Sequence, residues 1–222
     1  MKYNLNNPTE EQTNFSEGIH FIELPEISEE ELPEGEVDLG LPSGLKWSSC
    51  NIGASKSCES GLLFQFGRVD GYAYGDTNNK FYVGSCVPTT TSGKTYTEGE
   101  VLDSADDAAY FATNGKLRMP TVDEIDELLS STNNIWCQCN SVLGMLFVSK
   151  KDESKKIFIP AAGGLDGNDG AFYNVGFNGS VWSSSISLGR ADYAYCLDFS
   201  YGYCNRYSYI RYDCYSVRGV CE

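Results

Sequence analysis

Hydrophobic residues along this chain fall mostly in short runs separated by glycine-rich turns, a pattern that predicts short strands and little helix. Residues 36–51 predict two strands around a turn at 42–44, with Trp47 as the core anchor. Residues 145–149 and 156–160 predict a hairpin around a charged turn. The 23 glycines favour this interpretation, because glycine is frequent in turns and weakens helices.

Helical signals occur in two places. The alanine-containing segment 104–113 predicts a short helix whose two aspartates lie in the first turn, where negative charge suits the helix dipole. Thr121 and Glu124 form a capping box that predicts a second helix near residues 121–130. Together with the strand pattern, these signals predict an α+β fold with two short helices, short antiparallel strands and much irregular loop.

The formal net charge of −15 lies largely at the N-terminus. Residues 1–36 contain ten Glu and one Lys, which gives −9 and leaves −6 for the other 186 residues. Segment 1–35 is therefore predicted to be an acidic tail or linker, with docking to a larger assembly as the alternative, and residues 36–222 to form one domain. Binding to nucleic acid through phosphate contacts is not expected, because the chain is acidic overall and such contacts require a surplus of clustered Lys and Arg.

Nine cysteines and one histidine give no metal-binding pattern along the sequence. Cys137 and Cys139 form a C-x-C pair, and His20 lies far away in the acidic segment. We expect no metal, no cofactor and mostly reduced thiols, since an odd number of cysteines leaves at least one unpaired. We also expect no signal peptide, lipid anchor or membrane insertion, because the sequence has no basic and apolar leader and no long apolar run.

Eight of the 15 tyrosines fall between residues 191 and 215. A buried core strand would be rich in Val, Ile and Leu, whereas tyrosine combines a large ring, a polar tip and few torsions, as recognition surfaces require. The alternative is a half-buried sheet whose outer face carries tyrosine. The candidate ligand-binding residues of this segment are Tyr193, Tyr195, Asp198, Tyr201, Tyr203, Asn205, Arg206, Tyr207, Tyr209, Tyr212 and Asp213.

The predicted domain contains five motif-like segments. They are VDLGLPSGLKWSSCNIGAS (37–55), DDAAYFATNGKLRMPTVDEIDELL (106–129), FIPAAGG (158–164), VWSSS (181–185) and SVRGV (216–220). Together they resemble a family of paralogous surface-type domains abundant in gut Bacteroidetes and their phages. These domains resemble in turn the C-type-lectin-like fold shared with the formylglycine-generating enzyme. The resemblance covers residues 36–222 and implies a C-type-lectin-like ligand-binding domain.

Some members of this fold are variable proteins of diversity-generating retroelements, in which adenines copied from a template are mutated within a C-terminal segment. The resemblance implies a variable segment at about 183–218. Mutated Asn codons yield Tyr, Ser, Asp, Cys, Ile or Arg, among others, and this set dominates the segment, so its cysteines are explained as by-products of diversification. The implied function is recognition of a protein or glycan ligand on a cell surface by a phage or a bacterial adhesin. The missing signal peptide favours the phage, or an unusual export route.

The lectin-like scaffold implies a buried set and an exposed set of side chains in residues 182–218. Trp182, Leu197, Phe199 and Val217 are expected to be buried as a frame. The tyrosines are expected to be solvent-accessible and gathered on one face above that frame. Such a chain would be a binding protein and not an enzyme.

Two alternatives remain open for the same fold. An oxidase similar to the formylglycine-generating enzyme would use copper and a cysteine pair, either Cys196 with Cys204 or Cys204 with Cys214. The tyrosine-rich surroundings and the lack of a histidine in the domain argue against it. A calcium-dependent lectin would use residues 166–170, whose spacing does not follow an EF-hand loop. The Glu-Pro-Asn and Trp-Asn-Asp signatures of sugar-binding lectins are also missing.

Overall fold

The computed structural model describes residues 24–75 and 87–222, and strands dominate them. The strands are β1 (Glu26–Ile27), β2 (Glu36–Asp38), β3 (Lys46–Asn51), β4 (Leu63–Gln65), β5 (Thr132–Cys139), β6 (Val142–Ser149), β7 (Lys156–Pro160), β8 (Gly164–Leu165), β9 (Phe172–Tyr173), β10 (Asn178–Ile186), β11 (Tyr193–Ser200), β12 (Tyr203–Ile210), β13 (Cys214–Ser216) and β14 (Arg218–Cys221). In the same residues the two α-helices are α1 (Ala108–Ala112) and α2 (Val122–Ser131), and a 3-10 helix occurs at Glu29–Glu31. The predicted mixed α+β class is confirmed. None of these helices has the length and apolar character needed to cross a membrane.

The strands form three sheets, which are mostly antiparallel. One sheet has the order β1-β5-β6-β7, and a small one has the order β14-β3-β2. The largest sheet has the order β12-β11-β10-β13-β8-β9, and β4 also pairs with β13. The pairs β1–β5 and β10–β13 are parallel. The predicted pairing of β2 with β3 and the predicted hairpin of β6 and β7 are both confirmed.

Two hydrophobic clusters form most of the core and meet at β10. The first contains Trp47, as predicted, together with Val181 and Leu197, and reaches helix α2 at Ile125. The second contains Trp182. Consecutive residues of a strand point to opposite faces, so Val181 and Trp182 place β10 between the two clusters. All but the first residue of β10 are buried, as expected for a strand covered on both sides.

The chain joins the folded domain at a lower residue number than the predicted start at residue 36. β1 pairs in parallel with β5, so that Ile27 lies opposite Cys139. Leu32 is buried in a third cluster with Phe158. The prediction that the tail continues to residue 35 is therefore wrong at its C-terminal end, because this short segment has a strand partner and an apolar anchor. Residues 1–23 of the predicted tail, including His20, lie outside the described residues.

Helix α1 is shorter than predicted, because its two aspartates have other roles. Asp107 is the N-cap and accepts a hydrogen bond from the backbone N–H of Tyr110 at 2.9 Å. It also accepts one from the N–H of Met119 at 2.8 Å. Asp106 is buried and accepts a hydrogen bond from the hydroxyl of Tyr96 at 2.7 Å. Both carboxylates are therefore used before the helix begins, and the predicted start at residue 104 is wrong.

Helix α2 begins where the sequence predicts. Thr121 is its N-cap, and its hydroxyl accepts a hydrogen bond from the backbone N–H of Glu124. The Glu124 carboxylate accepts one from the N–H of Thr121 at 2.8 Å, which completes the predicted capping box. Glu124 also accepts two hydrogen bonds from the Arg118 guanidinium, at 2.7 and 2.6 Å. These contacts fix the start of α2 to the segment before it.

Arg218, within the SVRGV motif, is completely buried and joins three strands. Its guanidinium donates to the Asn51 side-chain oxygen and the Ser48 carbonyl, both on β3 and both at 2.9 Å. It also donates to the Phe158 carbonyl on β7 at 2.9 Å. Burial lowers the pKa of Arg218 to about 10, so the group remains charged at neutral pH. The three acceptors are what hold this charge inside the protein.

Replacing Arg218 by Met should lower the free energy of unfolding by about 2–4 kcal/mol. The substitution keeps most of the side-chain volume but leaves buried acceptors on β3 and β7 without a donor. Arg190→Met is the matched control, because Arg190 is exposed and its guanidinium contacts only nearby groups, the Asp192 carboxylate and the Tyr193 ring. Its cost should stay below about 1 kcal/mol. Urea unfolding measures both variants. Equal losses would contradict the structural role assigned to Arg218.

Candidate ligand-binding surface

Strands β11 and β12 carry most of the candidate residues and form one hairpin. Eight cross-strand pairs connect them, from Tyr193 opposite Ile210 to Ser200 opposite Tyr203. Gly202 in the turn has a φ of +77°, a conformation that favours glycine. β12 lies at the edge of the largest sheet, whereas β11 lies between β12 and β10. The hairpin therefore presents β12 to solvent and uses β11 to attach it to the core.

The alternation of side chains divides the candidates between two faces of the hairpin. In this antiparallel register, odd-numbered residues of β11 share a face with even-numbered residues of β12. Tyr193, Tyr195 and Arg206 share one face. The opposite face, here called the Asp198 face, carries Asp198, Tyr203, Asn205, Tyr207 and Tyr209. The prediction that the tyrosines gather on one face is therefore wrong, because the register of the hairpin separates them.

The candidates also differ in exposure. Tyr201, Tyr203 and Tyr207 are exposed, with 62%, 41% and 52% of their surfaces accessible. Asn205 and Arg206 are also exposed. Five candidates are half-buried: Tyr193, Tyr195, Tyr209, Tyr212 and Asp213. Asp198 is buried, contrary to its predicted place at a binding surface. The freely accessible candidates thus lie on β12 and in the turn before it.

The predicted frame is buried. Trp182, Leu197, Phe199 and Val217 have essentially no accessible surface. Leu197 and Phe199 belong to the first core cluster, and Trp182 and Val217 belong to the second. The expectation for these four side chains is confirmed, and both clusters support the hairpin from inside the molecule.

A row of aromatic rings runs from the exposed surface of β12 into the core. The ring centroids of Tyr207 and Tyr209 are 4.9 Å apart, and those of Tyr209 and Tyr215 are 5.2 Å apart. Tyr215 then contacts Trp182 with a centroid distance of 4.7 Å. Because aromatic pairs at such distances are attractive, this aromatic row holds the half-buried Tyr209 in a fixed position.

Two members of the site, Tyr173 and Tyr215, were not among the residues proposed from the sequence. The Tyr173 hydroxyl donates to the Tyr215 hydroxyl at 2.7 Å, so the two side chains are joined below the surface. Tyr215 lies within the tyrosine-rich segment, and that composition could have included it. Tyr173 comes from β9, and no spacing in the sequence indicates that it reaches this site.

The buried Asp198 carboxylate organises the polar side chains beneath the hairpin. Its Oδ1 atom accepts hydrogen bonds from the Ser180 hydroxyl at 2.9 Å and from the Asn178 amide at 3.0 Å. Its Oδ2 atom accepts a longer one from the Tyr209 hydroxyl, at 3.4 Å. Asp198 therefore positions Tyr209 from below and is a supporting residue of the surface.

A second carboxylate, Asp213, lies beside Tyr173 and Tyr215. It accepts a hydrogen bond from the Gly167 N–H at 3.2 Å and a longer one from the Tyr215 hydroxyl at 3.4 Å. The Tyr173 hydroxyl, whose proton goes to Tyr215, lies at the same 3.4 Å from this carboxylate. Burial raises the pKa of Asp213 and raises the pKa values of the Tyr173, Tyr209 and Tyr215 hydroxyls. The phenols therefore stay neutral and remain hydrogen-bond donors. These buried groups therefore satisfy one another, and the groups left for a ligand are the exposed phenols and ring faces of Tyr201, Tyr203 and Tyr207 and the amide of Asn205.

On the other face, the candidate residues contact the protein itself. The Arg206 guanidinium donates to Asp126 on helix α2 at 2.7 Å and lies 5.8 Å from the centre of the Tyr195 ring. The Arg190 guanidinium lies 3.6 Å from the centre of the Tyr193 ring. These tyrosines are therefore partly covered by arginines, and their exposed edges are smaller than those on β12.

The cysteines proposed for an oxidase lie in separate environments. Cys196 and Cys204 are on opposite faces of the hairpin, while Cys214 is buried in the cluster of Leu63 and Leu165. Burial raises the pKa of Cys196 and raises that of Cys204 to about 11. Neither thiol is favoured as a thiolate, the form that reacts. All eight cysteines in residues 24–75 and 87–222 are free, and Cys86 lies outside those ranges.

The loop at residues 166–170 uses its carboxylates in its own turn. Asp166 accepts hydrogen bonds from the backbone N–H and the side-chain amide of Asn168, at 2.7 and 2.9 Å. Asp169 accepts one from the N–H of Ala171 at 2.8 Å. Side chains that close Asx turns in this way are typical of ordinary loops.

One group of metal-ligating side chains does occur, away from the hairpin. Glu29, Cys58 and Cys139 offer ligand atoms that lie within 4.8 Å of one another. The sequence predicted no metal site, because these residues are far apart along the chain and follow no ligand spacing.

In comparisons with known proteins, no family model, curated protein or solved structure matches the chain.

The exposed tyrosines and the frame should differ sharply in their effect on stability. Tyr201→Ala and Tyr203→Ala should each change the free energy of unfolding by no more than about 0.5 kcal/mol, because both side chains are exposed. Trp182→Ala and Phe199→Ala should each cost about 3–5 kcal/mol through lost burial and a cavity. Thermal and urea unfolding measure all four without a ligand. Similar losses in both sets would show that the hairpin surface is part of the core.

Proposed function

We propose that this chain is a ligand-binding protein with a C-type-lectin-like fold, whose β11–β12 hairpin displays a diversified, tyrosine-rich recognition surface. The observation that carries the proposal is the contrast between the two strands. β12 exposes Tyr203, Asn205 and Tyr207, while β11 buries every residue from Cys196 to Phe199. Exposed positions on a strand whose partner supplies the buried residues can vary in sequence at little cost to folding.

The composition of the hairpin agrees with this proposal. Its exposed side chains are those of Tyr, Asn and Arg. In the variable proteins that the chain resembles, mutation of Asn codons produces residues of this set. We propose that diversification within residues 183–218 is concentrated at the accessible positions Tyr201, Tyr203, Asn205 and Tyr207. The buried neighbours of these positions would remain fixed, because each belongs to one of the two core clusters or supports the surface from below.

The chemistry of the Asp198 face indicates the kind of ligand. Exposed rings at Tyr203 and Tyr207 can stack on sugar rings or apolar side chains, and Asn205 can donate and accept hydrogen bonds. This combination suits a protein or glycan on a cell surface, and the role would be host recognition by a phage or adhesion by a bacterium. Arg206 is the basic residue of β12 and is already paired with Asp126, which does not favour a nucleic-acid backbone as ligand.

Binding to whole cells tests this function. The labelled protein is incubated with a panel of cultured gut Bacteroidetes strains and with a glycan array, and the variant Tyr201→Ser/Tyr203→Ser/Tyr207→Ser is measured in parallel. We expect the wild type to bind part of the panel and the triple variant to bind at least about tenfold more weakly, because a few central aromatic residues dominate such surfaces.

The matched control is Tyr110→Ser/Phe111→Ser, which removes two exposed aromatic residues from helix α1. It should bind as the wild type does. Equal binding by the triple variant, an equal loss in the control, or no binding by the wild type to any strain or glycan would contradict the proposed function.

A further inference from the structure

Three side chains from distant parts of the sequence meet where the N-terminal segment packs on the body. Glu29 lies in the 3-10 helix, Cys58 in the loop after β3, and Cys139 at the end of β5. Their ligand atoms all lie within 4.8 Å of one another, and the Cys139 Sγ atom is 3.8 Å from a Glu29 carboxylate oxygen. Two sulfur ligands and one oxygen ligand thus converge on one point.

Backbone contacts fix all three positions. The pairing of β1 with β5 places Ile27 opposite Cys139, two residues before Glu29. The Glu29 carboxylate accepts hydrogen bonds from the N–H groups of Ser57 at 2.6 Å and Cys58 at 3.2 Å. The carboxylate is therefore aimed at the Cys58 loop by two donors, and the convergence does not depend on a freely rotating surface side chain.

We propose that Glu29, Cys58 and Cys139 bind a zinc ion, with a water molecule as the fourth ligand. Tetrahedral zinc with thiolate and carboxylate ligands places neighbouring ligand atoms about 3.5–3.8 Å apart. The distance between Cys139 Sγ and Glu29 Oε2 already has this value. The other two pairs of ligand atoms are at most 4.8 Å apart, so a shift of about 1 Å or less would bring them to the zinc-bound separation. Thiolate ligands select zinc over the harder cations magnesium and calcium.

The surroundings suit a bound ion that enters from solvent. Cys139 is buried, while Glu29 and Cys58 are half-buried and leave one side accessible. Leu32, Leu146 and Phe158 pack around the cysteines and exclude water from the inner side. Zinc and its three charged ligands would carry a net charge of −1, against −3 for the same ligands ionised without the metal.

Binding has a proton balance that can be measured. Burial raises the pKa of Cys58 to about 11 and that of Cys139 to about 12, so both thiols keep their protons in the metal-free protein. Zinc requires both as thiolates, so each ion bound at neutral pH should release two protons to the buffer. The Glu29 carboxylate is already ionised, since its pKa is lowered by hydrogen bonds from the Cys58 and Ser57 groups despite its partial burial.

The site would attach the N-terminal segment to the body. Glu29 is the ligand from that segment, while Cys58 and Cys139 belong to the loop after β3 and to β5. A bound ion should therefore slow hydrogen exchange in residues 26–32 and in the Cys58 loop, and leave the β11–β12 hairpin unchanged.

Cobalt titration with a non-thiol reductant present tests the site, because cobalt replaces zinc and absorbs in the near ultraviolet when thiolates coordinate it. The wild type should bind one equivalent with this absorption, zinc should displace the cobalt, and calorimetry in two buffers should give two protons released. Cys58→Ser should lose the absorption, and Glu29→Gln should bind at least about tenfold more weakly. Both residues are half-buried, so these variants should fold even if Cys139→Ser does not.

Cys221→Ser is the matched control, because it removes another half-buried thiol far from the three ligands in sequence. It should behave as the wild type does. The proposal is overturned if the wild type gives no thiolate–cobalt absorption, if Cys58→Ser and Glu29→Gln bind as tightly as the wild type, or if Cys221→Ser weakens binding equally.

Discussion

The burial of β10 between two hydrophobic clusters is the constraint on which the rest of the structure depends. Val181 faces the cluster of Leu197 and Phe199, and Trp182 faces the cluster of Tyr215. β11 pairs with one edge of β10, and β13 pairs with the other. Any change that moves β10 would therefore disturb both clusters and the hairpin together. Trp182, the largest side chain of β10, is completely buried.

The surface of β12 follows from this arrangement. β11 supplies the buried residues of the hairpin, so β12 lies one strand farther from the core and exposes Tyr203, Asn205 and Tyr207 to solvent. The aromatic row from Tyr207 to Trp182 connects the two environments. Asp198 belongs to the support, since its carboxylate is buried and positions Tyr209. The proposed function requires such a surface, which is packed where it meets the core and would vary at its outer positions.

Local features of the fold were predictable from the sequence, and long-range ones were not. The capping box at Thr121 and the hairpin of β6 and β7 depend on neighbouring residues, and both occur as expected. The spacing of the tyrosines does not reveal the register around Gly202, which decides the face that each one occupies. The packing of the N-terminal segment and the arrival of Tyr173 depend on partners far along the chain. Such contacts leave no periodic signal.

Sequencing the DNA that encodes residues 183–218 across a natural population of the source genome tests the account most directly. We predict substitutions concentrated at Tyr201, Tyr203, Asn205 and Tyr207 and no change at Leu197 or Phe199. We also predict a nearby near-copy of the segment, with adenines at the differing positions, beside a reverse transcriptase. Variation that is spread evenly over buried and exposed positions, or a segment that does not vary and has no such copy, would contradict a diversified surface on a fixed frame.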